Sequence, residues 1–115
     1  INKIYESEAV LIANPKTLFN EKKKKLIDKL LRRFTAVSSA KSNKYILMNA
    51  PEKILPKLKK IIPGLKSPTI SPLAIPDWIS VQTIIKEDVF WEVVDRLIKL
   101  GVQDIVVLPV EKLII

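Results

Sequence analysis

The sequence predicts an α+β fold of ferredoxin-like order, strand-helix-strand-strand-helix-strand, over residues 42–115, preceded by a strand and a long connector helix. Three observations predict it. Residues Trp78 to Ile85 alternate, with Ile79, Val81, Thr83 and Ile85 on one side and Ser80 and Gln82 on the other, the signature of a strand covered on one face. Two segments, one after Pro51 and one after Glu87-Asp88, carry apolar residues at helical spacing. The only two glycines, Gly64 and Gly101, and the prolines other than Pro56 fall between these segments or at their ends, where turns are needed.

Ser7 to Ala13 reads as a short buried strand stopped by Asn14-Pro15, because the residue before proline is biased to extended geometry. From Asn20, a plausible N-cap, Leu26, Leu30 and Phe34 recur every four residues with Val37 beyond them, which predicts a long amphipathic helix over 20–41. The Lys22–Lys25 run forms its solvated first turn and opposes the helix dipole. Lys44 to Asn49 is the first strand of the main domain. Pro51 marks the next helix start, and Ile54, Leu55, Leu58, Ile61 and Ile62 give one apolar face before Pro63-Gly64. Pro56 removes a donor inside that helix and delays or kinks it. Ser67 to Leu73 is a strand only at a sheet edge or where it bends, since Pro68 and Pro72 cannot donate to a ladder. Trp78 to Ile85 follows. The last helix has Phe90, Val93, Val94, Leu97 and Ile98 as its stripe and Gly101 as its C-cap, and Asp104 to Leu108 is the last strand.

A chain of 115 residues with 48% hydrophobic residues can bury a core without cross-links. It has no cysteine and no histidine, which excludes disulfides, thiolate nucleophiles, imidazole bases and the common zinc sites. No apolar run is long enough to span a membrane and no signal-like start is present, so the expected setting is cytoplasmic with no membrane partner. The start on Ile1 rather than methionine predicts a piece of a longer polypeptide. Most of the formal charge of +8 is local, with eight basic residues against Glu21 and Asp28 between Asn20 and Lys41. Without interleaved aromatics such a run is a solvated helix face, so no nucleic-acid partner is expected. The acid pairs Glu6/Glu8, Glu87/Asp88 and Glu92/Asp95 sit on faces or helix ends where solvated carboxylates are ordinary. Neither glycine belongs to a phosphate-binding loop. No catalytic residue and no cofactor is therefore assigned to this segment.

The stretches Gly64-Leu65-Lys66-Ser67-Pro68-Thr69-Ile70-Ser71-Pro72-Leu73, Pro76-Asp77-Trp78 and Val107-Leu108-Pro109-Val110-Glu111-Lys112 together resemble the ATP phosphoribosyltransferase family in its long form. The similarity extends through Ser7-Glu8-Ala9, Leu26 to Arg33 and Lys44 to Pro51, and so covers essentially the whole chain. The resemblance implies a carboxy-terminal, histidine-sensing domain similar to ACT and PII-type regulatory modules. Residues 1–19 would then end the catalytic part, 20–41 would be the connector and 42–115 the regulatory domain. It further implies upstream lobes that bind ATP and phosphoribosyl pyrophosphate and require Mg2+, hexamers formed largely through these domains, and L-histidine bound between neighbouring subunits as a feedback inhibitor. The effector-binding residues it implies are Asn49, Leu65, Ser67, Thr69, Ile84 and Asp104. Asn49 departs from the aspartate or histidine that the family often holds there; an amide can bond an imidazole without sharing its proton equilibrium. A purely structural assembly module, or a basic RNA-binding module on the same fold, are the alternative readings.

Overall fold

The computed structural model describes residues 10–64 and 66–115. The chain divides into two compact units, one up to Arg33 and one from Phe34 to Ile115. In the first, Asn14 accepts the Lys16 amide on its side chain at 3.0 Å and opens a 3-10 turn, Pro15–Phe19. Helix α1, Glu21–Ser42, starts behind the expected cap: Asn20 accepts the Lys23 amide on Oδ1 at 3.2 Å and the Lys24 amide on its carbonyl at 2.8 Å. The expected opening strand lies partly outside the described residues. Its described part, Val10 to Ala13, is exposed and pairs with no described strand, and a strand exists only by pairing.

The second unit holds the end of α1 and a four-stranded antiparallel sheet, with β1 (Asn43–Pro51), β2 (Thr69–Pro72), β3 (Trp78–Lys86) and β4 (Gln103–Pro109) in the order β2-β3-β1-β4. Helix α2 (Leu55–Ile61) follows β1 and helix α3 (Glu87–Leu100) follows β3, which gives the ferredoxin-like order read from the sequence. Pro56 causes no kink. A 3-10 turn, Glu52–Ile54, delays the α-helix until Pro56 falls in its first turn, where a missing N–H costs nothing. Gly101 ends α3 with a φ of 109°, and its amide and that of Val102 return to the Ile98 and Leu97 carbonyls.

Both helices lie on the sheet face that carries Ile46, Met48, Ala50, Ile79, Val81 and Ile85, and close it with Ile54, Leu58, Phe90, Val93 and Leu97. Burying each of the larger side chains contributes about 1.5–3 kcal/mol. The α3 stripe is narrower than its spacing implies: Ile98 is exposed and Val102, just past the cap, is buried instead. On α1 the expected stripe is also displaced, for Leu26, Leu30, Phe34 and Val37 are exposed while Ala36 and Ala40 are buried. Leu113 is buried too, and its amide donates to the Ala36 carbonyl at 2.9 Å, so the segment after β4 returns to α1.

Candidate functional site

Strand alternation sends one set of side chains away from the helices. Across the register these are Thr69 and Ser71 on β2, Ser80, Gln82 and Ile84 on β3, Tyr45, Leu47 and Asn49 on β1, and Val106 and Leu108 on β4. At one end of this face lies a pocket of about 470 Å³ lined by Tyr45, Lys66, Ser67, Thr69, Gln82, Thr83, Ile84, Ile114 and Ile115. Its polar groups have distinct roles. The Tyr45 hydroxyl donates to Gln82 Oε1 at 2.6 Å, which leaves the Gln82 amide nitrogen as a donor. Lys66 adds a cation, and Ser67 and Thr69 add hydroxyls that donate or accept. Ile84, Ile114 and Ile115 supply an apolar wall. Among the described lining residues none is an aspartate or a glutamate.

Gly64 shapes the approach to this pocket. A Cβ there would stand 2.6 Å from Thr83 Oγ1, so only a residue without one allows the chain to pass so close to β3 before Lys66 and Ser67.

Asn49 and Asp104 form a second group. The ladder between β1 and β4 shifts register between Leu47 and Asn49, and Asp104 takes a φ of 52° in that bulge. The extra residue brings its carboxylate to the Asn49 amide, which donates to Oδ2 at 3.2 Å. Asp104 is exposed, so its remaining acceptor positions face solvent.

Of the six residues read from sequence, Ser67, Thr69 and Ile84 line the pocket, Asn49 and Asp104 pair with one another, and Leu65 lies outside the described residues. The two groups are apart. Tyr45 is opposite Ile84, and Asn49 is four residues further along β1, about 13 Å at strand rise. Sequence reasoning missed Tyr45, Gln82, Lys66, Ile114 and Ile115 as pocket residues. Alternation could have found the first two, since both fall on the uncovered face. A larger hollow of about 630 Å³ beside Pro51, Glu52, Lys53, Asp77 and Trp78 contains none of the expected residues, and its charges are of mixed sign on the surface.

A family model described as HisG, C-terminal domain, matches residues 40–112. The chain belongs to the HisG C-terminal domain family. Proteins named ATP phosphoribosyltransferase are similar to this chain: that of Parabacteroides distasonis is 46% identical over 108 residues, 94% of this chain and 38% of that protein. That of Bacteroides fragilis is 46% identical over 112 residues, 97% of this chain and 39% of its own length. A more divergent one, from Cytophaga hutchinsonii, is 39% identical over 111 residues, 96% of this chain and 38% of its own length. This HisG C-terminal domain thus spans less than two fifths of the relatives it matches.

Among the described residues of the HisG C-terminal domain, no group of three or more histidine, cysteine or acidic side chains converges as metal ligands do. No described helix is long and apolar enough to cross a membrane.

Proposed function

We propose that this chain is the effector-binding and assembly part of an ATP phosphoribosyltransferase, the enzyme that joins ATP to phosphoribosyl pyrophosphate at the first step of histidine biosynthesis. L-Histidine is the effector, and it binds at the uncovered sheet face between two copies of the chain. The observation that carries this reading is the division of the expected residues into two complementary groups on one face. Lys66, Ser67 and Thr69 offer a cation and hydroxyls suited to a carboxylate, while Asp104 and Asn49 offer an anion and an amide suited to an ammonium and an imidazole. One amino acid cannot reach both groups across about 13 Å of strand in a single chain. Two chains face to face or edge to edge bring the groups together, which makes binding and assembly one event.

The catalytic chemistry and its Mg2+ requirement belong to the upstream part of such an enzyme, while its hexamers, in a cytoplasmic setting, form largely through this domain. No metal step is assigned to the residues described here. The RNA-binding alternative has little support, because the aromatic positions on the described part of the uncovered face, Tyr45 opposite Ile84 and Trp78 opposite Pro51, stand about 20 Å apart along the β1–β3 pair and form no continuous stacking platform, and the Tyr45 hydroxyl is engaged by Gln82.

The test is calorimetric titration of L-histidine into the parent enzyme, with oligomeric state followed by light scattering. Two variants are compared, Ser67→Ala with Thr69→Val, and Asp104→Ala. Each is expected to lose binding, and mixing and reassembling the two is expected to restore a fraction of the sites. Absence of binding to an intact wild-type oligomer would leave the assembly role alone.

A further inference from the structure

The segment after β4 connects two places in the second unit. Leu113 is anchored on α1: its amide donates to the Ala36 carbonyl at 2.9 Å, and its side chain is buried along with Ala36 and Ala40. Ala36 and Ala40 are one helical turn apart, and their small side chains permit the backbone of another segment to come this close. The next two residues, Ile114 and Ile115, line the pocket beside Tyr45, Ile84, Ser67 and Thr69 although 71% and 89% of their own surface is exposed. Aliphatic side chains held in a pocket wall yet largely wet gain from any ligand that covers them.

We propose that Leu113–Ile115 is a positioning strap for this pocket, seated on α1 at Ala36 and Ala40 and supplying the wall against which a bound amino acid closes. The proposal rests on the reading of the pocket as the carboxylate half of an effector site. The strap has a thermodynamic consequence. Whatever covers Ile114 and Ile115 also holds Leu113 in its seat, and whatever unseats Leu113 withdraws the wall, so ligand affinity and strap seating are reciprocal. Ile114 and Ile115 thereby act as specificity residues that favour a ligand with a flat or apolar body over a small polar one.

Amide exchange measured by NMR on the whole chain, with and without L-histidine, tests this. Ala36→Leu fills the seat while keeping a good helix former, and Leu113→Gly removes the anchor from the other side should the first variant fail to fold. In the ligand-free wild type the Leu113 amide is expected to be protected. Both variants are expected to lose that protection and to shift the amide signals of Thr69, Gln82 and Ile84, with the core amides of Met48 and Val81 unchanged. L-Histidine is expected to raise Leu113 protection in the wild type and to bind the variants about tenfold more weakly. Equal histidine binding by wild type and variants would overturn the strap and leave the effector site standing. If histidine binds no form, the effector reading fails, and the ligand-free shifts at Thr69, Gln82 and Ile84 still decide the strap: unmoved signals overturn it.

Discussion

The Tyr45 hydroxyl and the Gln82 side-chain carbonyl meet at 2.6 Å, tying β1 to β3 diagonally on the face that the helices leave uncovered. Both side chains are half-buried, so removing the donor leaves an acceptor only partly able to find water. Tyr45→Phe is expected to lower stability by about 0.5–1.5 kcal/mol. The measurement is a urea titration, in which the midpoint falls while the slope is unchanged.

Gly64→Ala places a Cβ 2.6 Å from Thr83 Oγ1, so either the Thr83 side chain or the backbone at position 64 must shift. Such overpacking costs about 1–3 kcal/mol. Thr83→Ala removes the obstructing oxygen, so the double variant is expected to be more stable than the sum of the two single losses. A double-mutant cycle by thermal melting gives that coupling; strict additivity would mean that the contact does not govern position 64.

Asp104 holds a left-handed backbone at φ 52°. Asp104→Ala and Asp104→Gly both lose the bond from Asn49, so their difference reports the backbone alone. Glycine is expected to be the more stable by roughly 0.5–1 kcal/mol, the left-handed penalty of alanine less the extra freedom of glycine when unfolded. Equal melting temperatures would indicate that the bulge relaxes when the carboxylate is removed.

Lys22 stands in the first turn of α1, where the unpaired amides carry partial positive charge. Lys22→Glu is expected to stabilise the helix by about 0.3–1 kcal/mol at low ionic strength. The gain, followed by circular dichroism, should shrink in 1 M salt, where screening extends only about 3 Å.

Leu58 is 1% exposed between α2 and the sheet. Leu58→Ala is expected to cost about 2–5 kcal/mol, depending on how far the cavity collapses. Chemical denaturation of the isolated chain measures it directly.

How legible the molecule was depends on the range of the interaction. The period-two pattern of Trp78–Ile85 and the helical spacing around Leu58 and Leu97 are local, and they gave the strand and helix order. The delay caused by Pro56 was equally local. The bulge at Asp104 was not, because a register shift belongs to the pair of β1 and β4 rather than to either sequence. The same reason explains α1, where the buried face was set by Leu113 returning to Ala36 and not by the helix's own Leu and Phe spacing. Sequence resemblance named Ser67, Thr69, Ile84, Asn49 and Asp104, but their division into two groups required the sheet register. Ile114 and Ile115 carry no local sign of a pocket wall; an apolar segment after a strand signals only a need for cover.

The central place of β1, between β3 and β4, has a consequence for the order in which the fold is completed. As the chain leaves the ribosome, β1, β2 and β3 are available to pair before β4 exists, so a three-stranded sheet carries β1 as a bare edge until Gln103–Pro109 emerges. The backbone groups of Lys44 to Leu47 that later bond β4 are unpaired during that interval. Nascent chains stalled before residue 103 should therefore be the ones most prone to associate with one another or with a chaperone, and release of the last strand should end that susceptibility.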